Sequence, residues 1–340
     1  MAIAASGAVS FSDLRSEFVG GSSAISYSDL YRGGSNIRAK AANNTGVNLA
    51  ASVPTSGTIN MTDFRSQAKG FRFTFSATAT DQNASALFGS DYGVNYPKEI
   101  VIDSGVELGA TSTSEEALEI DTGGLGTITV TNNGTLTGAG GAVGADGGDA
   151  FEAAVNCTFV NNGTVRAGGG GGGAGGNGSF QTSYTSGYSY SASTYWEWIF
   201  YGNSRHFVRW NNTYPTGLRY SSSSLSTISA GGRTYYKGIL QFNGENERRY
   251  KVARTEFSTT NTSGGSGGVG AGYNQSAGSG VAGGTNAGTG GTGGSFGASG
   301  STGANGNSTN GSAGGASGKY LRGSSFITFT NNGTALGGTA

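Results

Sequence analysis

The sequence is poor in the residues that mark most enzymes and disulfide-rich domains. Its 340 residues include three prolines, one cysteine and one histidine, and only 12% are charged. A collagen triple helix needs abundant proline beside its periodic glycine, so the three prolines exclude it. The lone Cys157 cannot form an internal disulfide, which excludes a disulfide scaffold and a cysteine-rich zinc site.

Net charge and long apolar runs are also missing. Twenty Lys and Arg balance twenty Asp and Glu, so no net field attracts nucleic acid, and we expect no nucleic-acid partner. No stretch approaches the ~20 apolar residues of a membrane span. The start, MAIAASGAVSFSDL, lacks the basic and apolar regions of a secretory signal, so we expect that ordinary secretion is not used.

Glycine and aromatic residues are abundant instead. The chain has 66 glycines among 340 residues, whereas average proteins have about 7% glycine. It also has 17 Phe, 16 Tyr and 3 Trp, aromatic surface that a solvated coil does not keep. We therefore predict an ordered architecture that depends on glycine.

One short phrase occurs three times in residues 1–70, beginning at Gly7, Ser23 and Gly57. In each copy a Ser or Asn stands three residues before an Asp, as Ser10 does before Asp13. This spacing predicts an N-cap whose aspartate returns a hydrogen bond to the cap amide, so each phrase should open a short helical turn. The stretches between the phrases are too polar to predict a sizeable core. We expect a small module that docks on a partner.

Residues 71–80 alternate apolar and polar side chains, which predicts a half-buried strand. Further strand candidates are 99–102, 106–108, 118–120 and 127–131. The fragment around Asn-Asn-Gly-Thr recurs at 129–136, 158–165 and 328–335. Asn-Gly favours a turn because both residues tolerate positive φ. The repeats predict β-turn units, either hairpins or rungs of a small solenoid.

Glycine also recurs with a period of three, at 138, 141, 144 and 147. Three residues per turn is the repeat of the extended polyproline II helix, whose backbone groups need outside partners when buried. Glycine lets a neighbouring backbone approach, so we predict a bundle held by backbone hydrogen bonds, with 166–178 at its centre and reversals at 273–275 and 307–310. A flexible Gly/Ser linker is the alternative. The longest run comprises Gly288, Gly291, Gly294, Gly297, Gly300, Gly303 and Gly306.

Residues 181–260 interrupt the glycine pattern with ten tyrosines and all three tryptophans. Their alternating texture predicts a small antiparallel β domain. Tyr, Trp and Arg beside Ser and Asn are typical of recognition surfaces, although the tryptophans could equally form the core of this domain. The candidate binding residues in this stretch are Tyr195, Trp196, Trp198, Tyr201, Trp210, Tyr235 and Tyr236.

Three chemical alternatives have weak support. His206 is the one base for a Ser-His-Asp arrangement, and nothing in its surroundings marks a triad. Glu245 and Glu247 could form a glycosidase pair, but they lie in an expected turn. Asp146 and Asp149 resemble part of a calcium loop that occurs only once. We predict no catalytic residue, no metal and no cofactor.

The short Ser-Asp-Leu phrases, the run from Glu99 to Gly109, the Asn-Asn-Gly-Thr turns and the glycine blocks together resemble tailed-bacteriophage tail-fibre and receptor-binding proteins. The glycine-rich part is similar to the adhesin at the tip of T-even-related long tail fibres, whose fold is a bundle of polyglycine II helices. In that family, loops between the helices contact the receptor. The resemblance carries this role to Tyr273, Asn274, Phe296, Asn307 and Asn310.

The resulting fold class is mostly β and irregular, with short N-terminal helical turns, β-turn repeats and a polyglycine II bundle that holds an inserted antiparallel β domain. The predicted divisions are a virion-docking module at 1–70, a β-rich connector at 71–136, glycine-rich blocks at 137–180 and 261–340, and the inserted Tyr/Trp-rich domain at 181–260.

The resemblance implies a non-enzymatic phage tail protein that binds a host receptor during adsorption. Its partners would be other phage tail proteins, contacted through the N-terminal module, and a bacterial outer-membrane protein or surface glycan. A homo-oligomer stays open. It would be located in the virion tail after assembly in the host cytoplasm. The alternative is a purely structural tail or baseplate component that packs on other virion subunits.

Overall fold

A computed structural model describes residues 3–20, 24–187, 195–201, 204–211, 214–221, 227–230, 233–244 and 247–340; for 184–187 and the strands between 195 and 256 it describes the backbone only. The chain divides into two compact units. The solenoid unit is Met1–Gly178 with Thr262–Ala340, and the inserted unit is Ser179–Asn261. None of the described helices is long and apolar enough to cross a membrane.

The helices are all short. They are α1 (Phe11–Leu14), which continues as a π-helical turn (Arg15–Val19), α2 (Ala84–Phe88), and 3-10 turns at Tyr27–Leu30, Met61–Phe64, Gly89–Asp91 and Ser324–Phe326. The strands before the insertion are β1 (Val47–Asn48), β2 (Phe71–Phe75), β3 (Ala79–Thr80), β4 (Gln82–Asn83), β5 (Lys98–Ile102), β6 (Glu107–Gly109), β7 (Leu118–Ile120), β8 (Ile128–Asn132), β9 (Thr135–Thr137), β10 (Phe151–Ala153), β11 (Cys157–Asn161) and β12 (Thr164–Arg166).

The later strands begin at the end of the central glycine run. They are β13 (Gly178–Gly187), β14 (Tyr195–Tyr201), β15 (Ser204–Asn211), β16 (Tyr214–Ser221), β17 (Thr227–Ala230), β18 (Arg233–Gly244), β19 (Glu247–Thr262), β20 (Lys319–Leu321), β21 (Ile327–Asn331), β22 (Thr334–Leu336) and β23 (Gly338–Thr339).

The three N-terminal phrases each open a helical turn, as predicted. The amide of Ser10 donates to Asp13 Oδ2 at 2.8 Å, and equivalent bonds of 2.8 and 2.7 Å join Ser26 to Asp29 and Asn60 to Asp63. The prediction that this zone has no sizeable core was wrong. The last residue of each turn is fully buried, and these residues pack with others in one apolar cluster: Ile3, Leu14, Phe18, Leu30, Ile37, Ala50, Val53 and Phe64.

Parallel strands form a three-sided solenoid from residue 71 onward. Its first face consists of β2, β5, β8, β11 and β21, and its second of β3, β6, β9, β12 and β22. The third face consists of β4, β7 and β10, followed by β20 and β23 through the Glu152 to Arg322 bridge. The described chain thus contains five rungs. In the core that they surround, Phe151 stacks on Phe159 with 4.5 Å between the ring centroids.

The Asn-Asn-Gly-Thr repeats are rungs, which decides between the two alternatives. Each repeat turns the corner between the first and second faces. Buried Asn132 Nδ2 donates to Asn161 Oδ1 at 2.8 Å, and Asn161 Nδ2 donates to Asn331 Oδ1 at 2.7 Å. The sequence analysis expected a positive φ at Asn-Gly in these repeats, and this expectation was wrong, because none of these residues has one. The glycine is needed for space instead, because a Cβ on Gly163 would overlap the carbonyl oxygen of Gly134.

The prediction of one strand over 71–80 was also partly wrong. The segment splits into β2 and β3, since a solenoid corner intervenes. The predicted boundary at residue 70 is crossed by contacts. Strand β1 pairs antiparallel with β2, and buried Asp91 accepts hydrogen bonds from Arg38, Ala41 and Asn44 at 2.8–3.0 Å. Burial acts in the opposite direction, yet these bonds lower the pKa of Asp91.

The glycine-rich segments leave the solenoid at one corner. In the third rung, residues 138–150 connect β9 to β10, and in the fourth rung residues 167–318 connect β12 to β20. These connections contain extended glycine-rich segments, which we call the glycine bundle. Within the described chain the segments are 138–144, 145–148, 167–177, 263–271, 276–284, 287–295, 298–306 and 310–318.

The inserted unit interrupts the glycine bundle between 178 and 262. Its described strands pair antiparallel: β14 with β15, β15 with β16, β16 with β19, and β18 with both β17 and β19. Strand β13 also pairs with β19.

Candidate functional site

The central segment of the glycine bundle, residues 167–177, is surrounded by backbone partners. The N–H groups of Gly168 to Gly173, Gly175 and Gly176 donate in a repeating order to carbonyls of 145–148, 263–271 and 298–306, at 2.7–3.0 Å. Its carbonyls accept, at 2.7–3.0 Å, from amides of three further neighbours: 138–144, 287–295 and 310–318. Neighbouring segments thus provide partners for most of the hydrogen-bonding groups of this main chain, without α-helix or strand pairing.

Missing side chains make this spacing possible. A Cβ on Gly171 would overlap the carbonyl oxygen of Ala142, and a Cβ on Gly172 would overlap that of Gly291. The predicted structural glycines behave in the same way: Gly288, Gly291, Gly294, Gly300, Gly303 and Gly306 each face a neighbouring carbonyl. Gly297 differs, because its φ of +69° belongs to a chain reversal. The unbroken period of 288–306 therefore spans two antiparallel segments.

Two of the predicted receptor loops, the turn at 273–275 and the turn around Phe296, lie next to the solenoid. We call them the near turns. Tyr273 N donates to Gly138 O at 3.2 Å, and the tyrosine ring covers Gly109 so closely that a Cβ there would overlap it. Asn274 is exposed and has a φ of +53°. Phe296 is half-buried, since the Arg166 guanidinium lies 3.8 Å from its ring centre. Both aromatic side chains are thus packed against the molecule itself.

The remaining predicted loop lies at the opposite end of the glycine bundle, so the structure does not bring all the predicted contacts together. Residues 307–310 are exposed there. Asn177 holds the loop: its carbonyl accepts from the amides of Ser308 and Thr309 at 3.1 and 3.2 Å, and its amide donates to Thr309 Oγ1 at 2.8 Å. Asn177 Oδ1 also accepts from Gly264 N at 3.1 Å.

Sequence reasoning missed the other members of this far end. Asn286 is exposed with a φ of +60°, and its carbonyl accepts from Asn307 N at 3.0 Å. Thr285 O accepts from Thr262 Oγ1 at 2.6 Å. A signal was present, because Thr-Asn interrupts the glycine-rich run where the φ of a turn is required. We call 285–286 and 307–310 the far turns.

The predicted aromatic contacts have a described backbone only. Tyr195, Trp196, Trp198 and Tyr201 belong to β14, Trp210 to β15, and Tyr235 and Tyr236 to β18. Their side chains lie outside the described residues, as do those of His206, Glu245 and Glu247. The receptor-binding and catalytic hypotheses for these residues stay predictions.

An acidic group lies on the third face. Guanidinium nitrogens of Arg322 lie 3.5 Å from carboxylate oxygens of Glu116 and Glu152, and 3.8 Å from Oδ2 of Asp149. Burial, then the charge of Glu152, raise the pKa of Glu116 to about 7. Asp149 Oδ1 accepts from Lys319 N, and Asp146 Oδ1 accepts from Ala316 N, at 2.5 and 2.6 Å. Both aspartates therefore join 310–318 and β20 to the earlier chain.

Comparisons with known proteins found one family and one solved structure that resemble this chain. A crystal structure of the gp37-gp38 adhesin tip complex of the bacteriophage S16 long tail fibre is similar, with 16% identity and a TM-score of 0.39 over 84% of this chain and 88% of the matched chain. No curated protein matches. The profile of the phage tail fibre adhesin Gp38 family matches residues 70–340, which include the whole solenoid and the whole glycine bundle. The chain therefore belongs to the phage tail fibre adhesin Gp38 family and is a component of a virion tail.

Proposed function

We propose that this adhesin is a non-enzymatic protein that binds a receptor on the host surface during adsorption, and that the far turns make the contact. The observation that carries the proposal is the position of these turns. They are exposed, rich in Asn, Ser and Thr, and fastened to the glycine bundle by backbone bonds such as Asn307 N to Asn286 O. Such preorganised polar turns bind with little loss of conformational entropy.

The glycine bundle would serve as a stiff support in this function. We propose that its segments are polyglycine II helices, a form with three residues per turn that matches the three-residue order of the backbone bonds around 167–177. The receptor would be an outer-membrane protein or a surface glycan. The inserted unit is a second candidate contact, because its sequence is rich in tyrosine and tryptophan.

Binding of the purified full chain to host cells tests the proposal. Asn307→Lys combined with Asn310→Lys should reduce cell binding at least tenfold, whereas Asn274→Lys in a near turn should leave it unchanged. A chain lacking 179–261 then separates the far turns from the inserted unit. If the far-turn variant binds normally and the deletion abolishes binding, the contact belongs to the inserted unit.

Two further outcomes would support other functions. Absence of cell binding by the parent chain would favour a structural tail component that packs on virion subunits. A cleared halo around purified protein on a host lawn would indicate an enzyme. Glu245→Gln and Glu247→Gln would then show whether that carboxylate pair is responsible. We also propose that residues 1–70 dock on other tail proteins and that assembly takes place in the host cytoplasm.

A further inference from the structure

The corner repeat places an Asn-Gly pair in three successive rungs, at 133–134, 162–163 and 332–333. The side-chain amide of an asparagine is open to attack by the main-chain nitrogen of the following residue. Glycine permits this approach because it has no Cβ. The four residues Asn-Asn-Gly-Thr are identical in the three copies. A difference in reactivity between the copies must therefore come from the folded structure.

The glycine amides of the three corners differ in burial and in hydrogen bonding. A glycine nitrogen attacks only after it loses its proton, and a bonded, buried amide loses its proton only when the structure opens locally. Gly134 is buried and donates to Asn132 Oδ1 at 3.1 Å. Gly163 is half-buried and donates to Asn132 O at 3.0 Å. Gly333 is exposed, and its bond to Asn331 Oδ1 is 3.4 Å long, the weakest of the three.

The asparagine that is attacked is also held differently from rung to rung. Asn162 is fixed at both ends of its side-chain amide: its Nδ2 donates to Asn133 Oδ1 and its Oδ1 accepts from Asn332 Nδ2, each at 2.9 Å. Rotation of Asn162 breaks both bonds, whereas rotation of Asn332 breaks the exposed bond to Asn162. The fifth rung is also the last, since β21 and β22 lie at the ends of their sheets. Asn332 is thus the least restrained of the three.

The Asn-Gly pairs beside the far turns, at 305–306 and 310–311, have firmly bonded glycine amides. Gly306 N donates to Thr309 O at 2.9 Å, and Gly311 N donates to Asn305 Oδ1 at 3.0 Å. Gly333 therefore has the longest bond of these five glycine amides.

We propose that Asn332 is a site of spontaneous modification, at which the folded protein loses a side-chain amide through attack by Gly333 N. The Gly333 nitrogen releases its proton and bonds to Cγ of Asn332, while the Cγ–Nδ2 bond breaks and Nδ2 takes up a proton and leaves as ammonia. Water then opens the cyclic imide at either carbonyl and gives aspartate or isoaspartate. The reaction consumes a water molecule and releases ammonia.

The product should loosen the corner of the fifth rung. A carboxylate at 332 places an oxygen where Nδ2 donated to Asn162 Oδ1, so that two acceptors face each other. Isoaspartate also adds a carbon atom to the main chain. This corner has no room for it, because a Cβ on Gly333 would already overlap the carbonyl oxygen of Gly163. The same oxygen accepts from Thr334 N at 2.8 Å, and we expect this bond to be lost.

Ageing of the purified full chain at mildly alkaline pH tests the proposal, with mass-spectrometric peptide mapping as the readout. Asn332 should deamidate at least tenfold faster than Asn133 and at least threefold faster than Asn162. In concentrated urea the three rates should lie within twofold of one another, because the local sequence is shared. Equal rates in the folded chain, or a faster reaction at 133 or 162, would overturn the proposal.

Asn332→Gln is the matched variant, because glutamine keeps the amide donor but must close a larger ring. Amide exchange at Thr334 measures the consequence of the reaction. Ageing should speed this exchange at least tenfold in the parent and leave it unchanged in Asn332→Gln. An unchanged exchange rate in deamidated parent chains would overturn the predicted loosening. The comparison of the three positions in the parent needs no variant, so it decides the question even if Asn332→Gln does not fold.

Discussion

At the scale of single residues, Glu116 lies where charge is costly. Its side chain is 10% exposed, and the one cation beside it, in the part of the chain described, is Arg322, which is shared with Glu152 and Asp149. Burial and the neighbouring Glu152 raise its pKa to about 7 from the ordinary 4.5. The folded state thus holds this proton more tightly than the unfolded state does.

Stability should consequently fall as pH rises from about 4.5 to about 7, because the folded state gives up in this window a proton that it binds more strongly than the unfolded state. Glu116→Gln should flatten this slope and raise the unfolding free energy at pH 8 by roughly 1–3 kcal/mol, at about 1.4 kcal/mol per pKa unit. Glu115→Gln, at an exposed position, is the control. Denaturant titrations at pH 4.5, 6 and 8 measure the effect, and parallel slopes for parent and Glu116→Gln would contradict it.

Gly171 and Ala174 lie three residues apart, on the same side of the central segment. Their neighbours on that side differ. A Cβ on Gly171 meets the carbonyl of Ala142. Three residues further on, segment 138–144 has ended, which explains why an alanine stands at 174 and is half-buried there.

Gly171→Ala should therefore destabilise the solenoid unit by about 3 kcal/mol or more, because backbone cannot move aside as a side chain can. Ala174→Ser adds one atom on the same side and should cost under about 1 kcal/mol. Thermal unfolding of both variants checks the difference. Equal melting temperatures would mean that 138–144 does not pack against the central segment.

At the scale of elements, side-chain hydrogen bonds between Asn132, Asn161 and Asn331 link three rungs at one corner of the solenoid. Asn161 is fully buried and forms three bonds: it accepts from Asn132 and donates to Asn331 and to Thr334 O. Its neighbour Asn162 is exposed, and its Nδ2 donates to Asn133 Oδ1 at 2.9 Å. The two positions have the same residue type and are adjacent in the chain, but they differ in burial.

Asn161→Ala should lower the unfolding free energy by about 2–4 kcal/mol, since the change leaves buried partners without hydrogen bonds. Asn162→Ala should cost under about 1 kcal/mol, because water replaces the lost bond. Urea unfolding of both variants is the measurement. If Asn162→Ala lowered the unfolding free energy as much as Asn161→Ala does, the role assigned to the buried Asn161 would be contradicted.

Strand positions were readable from the sequence, whereas their pairing was not. Alternation predicts 118–120, the bounds that the structure has, and 99–102 misses β5 by one residue. Asn-Gly could mean a hairpin or a corner, because a local pattern does not show which strand lies alongside. The glycine period concealed the reversal at Phe296 for the same reason, since the turn keeps the three-residue spacing.

At the scale of the whole molecule, the inserted unit is a compact body of its own. Its two connections start close together, because Gly264 N donates to Asn177 Oδ1 at 3.1 Å. The solenoid unit contains both apolar clusters described above and all the glycine segments. We therefore expect that its folding does not depend on 179–261.

Replacing 179–261 with a short Gly/Ser linker should leave a folded solenoid unit whose melting temperature lies within a few degrees of its transition in the parent. Calorimetry and amide exchange of the glycine bundle measure this. Loss of protection at Gly168 to Gly176 in the deletion variant would show that the inserted unit is required for the bundle.

The candidate site was predictable only in part. Interruptions of the glycine period located the loop at 307–310, and Thr285-Asn286 carried a similar signal that went unused. Which turns share an end of the bundle depends on the direction of each segment, and composition does not record direction. The family resemblance implied that Tyr273 and Phe296 contact the receptor, but in the structure Tyr273 packs on Gly109 and Phe296 on Arg166.

If the far turns contact the receptor as proposed, a glycine bundle whose interior is main chain has a consequence for host range. When a far turn mutates, no interlocking side chains beneath it have to mutate in step. New turn sequences at 285–286 and 307–310 can be sampled one at a time while the scaffold is inherited unchanged. The same absence of side chains that makes Gly171 irreplaceable thus leaves the far turns open to evolutionary change.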